Sequence, residues 1–173
     1  MGGADKGLVP WHGEPLALVV LRRLQPQVRS VLISANRNLA TYRGWAPVVA
    51  DPEPADYAGP LTGIHAALGT LQSEWLAVVP CDLPALPTDA VARLAAGRGG
   101  HEAAFAQPPG QTHSLVCLLH VALAPRLAAY LDGGGRRVGE FLQSVDAQAV
   151  PFDEADAFVN LNTAAELASA ARP

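Results

Sequence analysis

Trp75-Leu76-Ala77-Val78-Val79-Pro80-Cys81-Asp82-Leu83-Pro84 is an apolar run that delivers one carboxylate and then stops between two prolines. The run is nearly continuous rather than alternating, which fits a strand covered on both faces, as in a parallel α/β sheet. In such sheets ligands bind beyond the carboxyl ends of the strands. Asp82 therefore stands where a metal–phosphate centre needs a hard oxygen ligand.

Working outward, the chain alternates strand-like and helix-like segments. It opens on a glycine-rich loop, Met1-Gly2-Gly3-Ala4-Asp5-Lys6-Gly7. Pro15 suits the first turn of a helix whose apolar positions are Leu16, Val19, Val20 and Leu24. Val31-Leu32-Ile33 and Pro47-Val48-Val49-Ala50-Asp51 are short β-rich runs. Gly59-Pro60-Leu61-Thr62-Gly63 reads as a turn, after which Ile64, Ala67, Leu68 and Leu71 recur at helical spacing. Beyond the Trp75 strand the pattern predicts a helix over 88–94 and strands over 103–106 and 114–119 around a Pro-Pro-Gly turn. A helix over 121–131, a short one over 136–142, a strand over 149–152 and a final helix over 164–171 complete the pattern. This alternation predicts an α/β fold: one domain with a mostly parallel, doubly wound, Rossmann-like sheet flanked by helices.

Bulk properties agree with one packed domain. Of the 173 residues half are apolar and 16% are charged, which excludes a disordered chain. The net charge is −4, and no basic cluster exceeds the pairs Arg22-Arg23 and Arg136-Arg137, so no nucleic-acid partner is expected. Cys81 and Cys117 form neither a disulfide framework nor a zinc pattern. His12, His65, His101 and His120 show no metal-site spacing. No apolar stretch approaches the length of about 18 residues that a membrane helix needs, and no cationic leader opens the chain. A cytoplasmic location without membrane attachment is the expectation.

Four features fall at strand ends, where such a sheet gathers its ligands: the glycine loop with Lys6, the segment Ser34-Ala35-Asn36, Asp51 and Asp82. Glycines at Gly2 and Gly3 let backbone N–H groups approach phosphates, and a lysine supplies a compact positive charge. One or two carboxylates can hold Mg2+, which keeps waters and substrate phosphates as its other ligands. Together these features point to nucleotide or phosphoryl chemistry. Each also has a plain structural reading. The loop lacks the Gly-x4-Gly-Lys-Ser/Thr pattern of NTPases, Asp51 before Pro52 can start a turn, and Asn36 can cap one. Near the end, Asn160 and Asn162 would face the same way in an extended segment, and Thr163 with Glu166 forms a capping box. His113, Arg136 and Arg137 are suited to an anionic substrate, although these are also common surface residues.

Taken in order, several segments resemble the molybdenum cofactor guanylyltransferase family, within the nucleotidyltransferase fold. They are Met1-Gly2-Gly3-Ala4-Asp5-Lys6-Gly7-Leu8, Ile33-Ser34-Ala35-Asn36-Arg37, Gly59-Pro60-Leu61-Thr62-Gly63, Pro80-Cys81-Asp82-Leu83-Pro84, Arg136-Arg137-Val138 and Phe158-Val159-Asn160-Leu161-Asn162-Thr163. The resemblance implies transfer of GMP from GTP to molybdenum-molybdopterin, giving the guanine dinucleotide cofactor and pyrophosphate. It implies Mg2+ on Asp82 and Lys6 on the triphosphate, with Asp82 and Lys6 as the catalytic residues. Gly2, Gly3, Ser34, Asn36 and Asp51 would line the nucleotide site; His113, Arg136, Arg137, Asn160 and Asn162 would face the pterin. Partners would be GTP, molybdenum-molybdopterin, and the proteins that deliver molybdopterin or receive the product. His113 is followed by Ser114 where the family usually has proline.

Family members begin with a strand and a Leu-Ala-Gly-Gly-x-x-x-Arg loop, and Met1-Gly2-Gly3 aligns with the residues just after that arginine. Roughly fifteen residues, an inner strand and half of the loop, are therefore absent from residues 1–173. The expectation is a natural start upstream, a sheet lacking its first strand, and weak or no transferase activity for the chain as written. An in-frame stop codon just before Met1 would contradict the upstream start. Two alternatives stand beside the guanylyltransferase reading. One is a cytidylyltransferase or another nucleotidyltransferase acting on a related phosphate. The other is a non-catalytic pterin-binding protein that has lost its nucleotide loop.

Overall fold

The computed structural model describes residues 5–51 and 59–159. Gly2, Gly3, Asn160, Asn162, the Thr163–Glu166 box and the helix expected over 164–171 lie outside the described residues. A 3-10 turn, Lys6–Leu8, leads into a small hairpin of β1 (Pro10–Trp11) and β2 (Glu14–Pro15). Helix α1 (Leu16–Leu24) begins directly after Pro15, which belongs to β2 and not to the helix's first turn; of the four apolar positions expected inside, Leu16 and Val20 are buried, with Ala17 and Leu21 in place of Val19 and Leu24.

β3 (Ile33–Ser34) and β4 (Val48–Val49) form a two-stranded parallel sheet around the short helix α2 (Leu39–Arg43). Helix α3 (Pro60–Thr70) starts at the proline, so Gly59-Pro60-Leu61-Thr62-Gly63 is a helical first turn and not the turn expected. The physical reason is local: Pro60 brings a helix-compatible φ and gives up an N–H that would be unpaired there anyway. Gly59, at φ 79°, makes the sharp entry that an L side chain would resist.

The larger sheet has the order β5-β7-β6-β8, formed by Trp75–Val78, His113–His120, Ala103–Gln107 and Gln148–Pro151. β5, β6 and β8 share a direction and β7 opposes them. The short Pro108-Pro109-Gly110 link forces this reversal, because strands joined by a tight turn must pair antiparallel. Helices α3, α5 (Ala124–Asp132) and α6 (Val138–Ser144) cover one face through Leu61, Ile64, Leu127 and Phe141. Helix α4 (Ala90–Gly97) covers the other with Leu83, Leu86, Phe152 and Phe158. Leu76 and Val78 of β5 join the first cluster, and Trp75 and Ala77 join the second. Both faces of the Trp75 strand are thus occupied, as its unbroken apolar run predicts. Its four residues are nonetheless only half-buried, and among the described residues β5 pairs on one edge alone, with β7.

Candidate functional site

The site lies at the carboxyl end of β5. There the chain leaves the sheet through Pro80 and Cys81, and Asp82 comes next with its side chain 13% exposed. Lys6, 76 residues earlier, reaches it from the opening 3-10 turn: Nζ donates to Asp82 Oδ2 at 2.5 Å. The other carboxylate oxygen, Oδ1, is buried and has no hydrogen-bond partner among the described residues. A buried charge with one oxygen unpaired costs free energy unless a ligand supplies the missing contact.

The antiparallel strand β7 explains how His113 joins this end. Trp75 is level with His120 and Val78 with Cys117, so β7 runs back past the carboxyl end of β5, and its first residue, His113, feels the Asp82 charge. His113 is buried, with its ring centroid 5.3 Å from that of Phe158. Burial lowers the imidazole pKa below 6.5, and the Asp82 charge and the Phe158 backbone act in the opposite direction. The ring is therefore neutral at pH 7. Beside Asp82, burial and then the Asp82 charge raise the Cys81 thiol above its usual value, which keeps it protonated and unreactive.

A second cluster forms where β3 and β4 end. Asn36 uses both ends of its amide on Asp51: Nδ2 donates to Asp51 Oδ2 at 2.8 Å, and Oδ1 accepts from the Asp51 N–H at 2.8 Å. Thr62 Oγ1, in the first turn of α3, is 3.0 Å from Asp51 Oδ2 and 2.8 Å from the Gly59 carbonyl. Asp51 Oδ1 is buried and unpartnered among the described residues, like its counterpart on Asp82. Gly63 has no room for a side chain, since a Cβ would run into the Ser34 hydroxyl and sit 3.4 Å from Asp51 Oδ1. Ser34, Asn36, Asp51 and Thr62 therefore form one close-packed polar cluster with an unsatisfied carboxylate oxygen.

Asp5 stands between the two clusters. Its Oδ1 accepts from the Gly7 N–H at 3.1 Å and the Tyr42 hydroxyl at 2.8 Å, and its Oδ2 accepts from Asn38 Nδ2 at 2.8 Å. Asp5, Asn38, Tyr42 and Thr62 are site residues that the motif reading passed over. Thr62 had a signal, its place three residues after Gly59. Asp5 had only its position beside Lys6.

Arg136 and Arg137 precede α6. Arg136 Nη1 donates to the carbonyls of Leu131 and Gly135 at 2.8 and 2.7 Å, and Arg137 Nη1 pairs with Glu140 at 2.8 Å. Their segment is near the site, because a Cβ on Gly139 would be 3.2 Å from Ser114 Oγ, next to His113. Their guanidinium bonds, however, are to their own loop and helix. The structure thus joins Lys6, Asp82 and His113 in one cluster and Ser34, Asn36 and Asp51 in another.

Among the described residues no group of three or more His, Cys, Asp or Glu side chains could hold a metal ion. A cation here would depend on one or two carboxylates, with substrate oxygens completing its shell. Mg2+ is bound in that manner, and the unpartnered Asp82 Oδ1 fits it. No helix among the described residues is long and apolar enough to cross a membrane.

Residues 1–148 match the family described as the MobA-like NTP transferase domain. A Yersinia pseudotuberculosis serotype O:1b (strain IP 31758) protein named molybdenum cofactor guanylyltransferase is 44% identical over 167 residues, covering 96% of this chain and 86% of that protein. A Cupriavidus taiwanensis protein of the same name is 46% identical over 175 residues, covering 96% and 87%. Among solved structures, molybdopterin-guanine dinucleotide biosynthesis protein A from Archaeoglobus fulgidus superposes with a TM-score of 0.78 at 22% identity, covering 97% of this chain and 89% of that one. A Mycobacterium tuberculosis H37Rv protein solved in complex with manganese gives 0.75 at 14% identity, covering 96% and 91%. These two structures share the fold.

Proposed function

The chain belongs to the MobA-like NTP transferase family, and from that premise we propose that it transfers GMP from GTP to molybdenum-molybdopterin, releasing pyrophosphate and forming the guanine dinucleotide cofactor. The observation that supports this most is the Lys6–Asp82 pair with its one unsatisfied oxygen. It sets a flexible cation and a metal-competent carboxylate side by side at a strand end.

The attacking group is a phosphate monoester, largely ionised at pH 7, so no general base is needed. Catalysis then rests on alignment and on neutralising charge during in-line attack at the α-phosphate. Mg2+ held by Asp82 Oδ1 would supply Lewis-acid stabilisation of the α-phosphate oxygens. Lys6 exchanges its Asp82 partner for oxygens of the triphosphate and then of the departing pyrophosphate. Ser34 and Asp51 Oδ1 receive the guanosine, the latter by accepting from an N–H or a ribose hydroxyl. Asn36 and Thr62 hold the Asp51 carboxylate in place for that contact. The neutral His113 adds no charge beside Asp82, and it faces the pterin together with the segment at Arg136 and Arg137.

Gly2 and Gly3 would complete the phosphate loop, and Asn160 and Asn162 the pterin side. This reading has GTP and molybdenum-molybdopterin as substrates in the cytoplasm, and proteins that deliver molybdopterin or take up the product as partners. The test is pyrophosphate release with GTP or CTP and the pterin cofactor, with and without Mg2+, in the native protein and in Asp82→Ala. GTP- and Mg2+-dependent release that falls at least 100-fold in Asp82→Ala is the expected result, in line with the loss of a principal transition-state contact. An unchanged Mg2+-dependent rate in Asp82→Ala would remove Asp82 from the metal site, and a preference for CTP would overturn the base assignment.

A further inference from the structure

We propose that Asp5 is a positioning residue: with Tyr42 and Asn38 it locks the turn carrying Lys6 at a fixed distance from the nucleoside cluster. This role rests on the assignment of Lys6 to the triphosphate. One carboxylate, itself 13% exposed, gathers three donors from two parts of the chain. The Gly7 N–H comes from the lysine turn, the Tyr42 hydroxyl from inside α2, and the Asn38 amide from the start of α2. Arg37 Nε adds a longer ion pair at 3.6 Å. Asn38 holds a left-handed backbone, φ 51°, a conformation asparagine tolerates better than most residues. The short segment from Asn36 to Asn38 thus has Asn36 on Asp51 at one end and Asn38 on Asp5 at the other.

Packing reinforces the hydrogen bonds. A Cβ on Gly7 would collide with the Tyr42 hydroxyl and stand 3.1 Å from the Ala17 Cβ, so Tyr42 and α1 enclose the turn. Burial, and then the bond to Asp5, hold the Tyr42 phenol above its usual pKa, so it remains a donor. Lysine has a long flexible stem and loses much rotamer entropy when aimed. Fixing its backbone beforehand is how a supporting shell lowers that cost. Guanosine alone contacts only the Ser34–Asp51 cluster. GTP must span from that cluster to Lys6, and only GTP benefits from the fixed distance.

The experiment is calorimetric titration of GTP and of guanosine, at constant Mg2+, into the native protein, Tyr42→Phe, Lys6→Met and the double variant. Tyr42→Phe should weaken GTP about fivefold to tenfold, the value of one ordinary hydrogen bond, and leave guanosine within about twofold. In the Lys6→Met background Tyr42→Phe should cost nothing further, because its effect passes through the lysine. Equal losses for GTP and guanosine, or additive losses in the double variant, overturn the positioning role and leave the function standing. Unchanged GTP affinity in Lys6→Met overturns both. Should Tyr42→Phe fail to melt cooperatively, Asn38→Ala removes the other anchor at an exposed position and is held to the same GTP-to-guanosine ratio.

Discussion

Replacing Lys6 with methionine isolates the charge from the packing, because the stem is kept and only the ammonium is lost. That ammonium is 2.5 Å from Asp82 Oδ2, and the second oxygen of the same carboxylate already lacks a partner among the described residues. Breaking a fully buried pair by removing one member costs about 3–5 kcal/mol. The Lys6 side chain is 30% exposed and that of Asp82 13%, so water takes up part of the loss. The expected destabilisation is about 2 kcal/mol, or roughly 4–8 °C in Tm for a chain of this size. Thermal melts in EDTA measure it. Adding Asp82→Asn to Lys6→Met should return most of the stability, since the stranded charge is gone, and Mg2+ should raise the Tm of Lys6→Met more than that of the parent. A Lys6→Met Tm within about 1 °C of the parent, or a double variant worse than the sum of its parts, would refute this account of the pair.

Packing and burial set two further outcomes. Gly63→Ala should lower stability by about 1 kcal/mol, because the overpacking against Ser34 exceeds the helix-propensity gain of alanine; in a Ser34→Ala background the sign should reverse, and paired denaturant titrations read both. Burial pushes the Cys117 thiol up to about 12 from 9.0. Below pH 9 both states keep the proton, whereas between pH 9 and 12 only the unfolded chain releases it, so stability falls as pH rises. The difference between parent and Cys117→Ala across that window should approach about 1.4 kcal/mol per pH unit, and a flat difference would show the thiol to be reached by water.

How far the fold can be read from the residues depends on the range of each signal. The alternation of Leu76 and Val78 with Trp75 and Ala77 between two cores comes from an unbroken apolar strand, a purely local pattern. The hairpin of β6 and β7 is written in Pro108-Pro109-Gly110. The first turn of α3 is not, because glycines at 59 and 63 imitate a loop. Only the contact of Gly63 with Ser34, 29 residues earlier in the chain, shows that one of them serves close approach. Helix α2 escapes the pattern for a different reason: its five residues are too few to display a period. With α2 goes Tyr42, and with Tyr42 the meaning of Asp5.

The site shows the same division, and it also shows why two of its carboxylates stand out in the sequence. A chain can be read locally wherever each residue satisfies its own neighbours, and that reading fails where a group is kept for something else. Among the described residues three buried side-chain atoms lack hydrogen-bond partners: Asp82 Oδ1, Asp51 Oδ1 and Trp11 Nε1. Two of the three belong to Asp82 and Asp51, carboxylates that follow strands β5 and β4. Arg136 and Arg137 are the contrast, since their guanidinium groups are satisfied by nearby carbonyls and Glu140. Substrate contact there would first have to break those bonds. At Asp82 and Asp51 the acceptor is already desolvated and aimed, so a ligand that supplies the missing donor or cation relieves a cost the folded chain already bears.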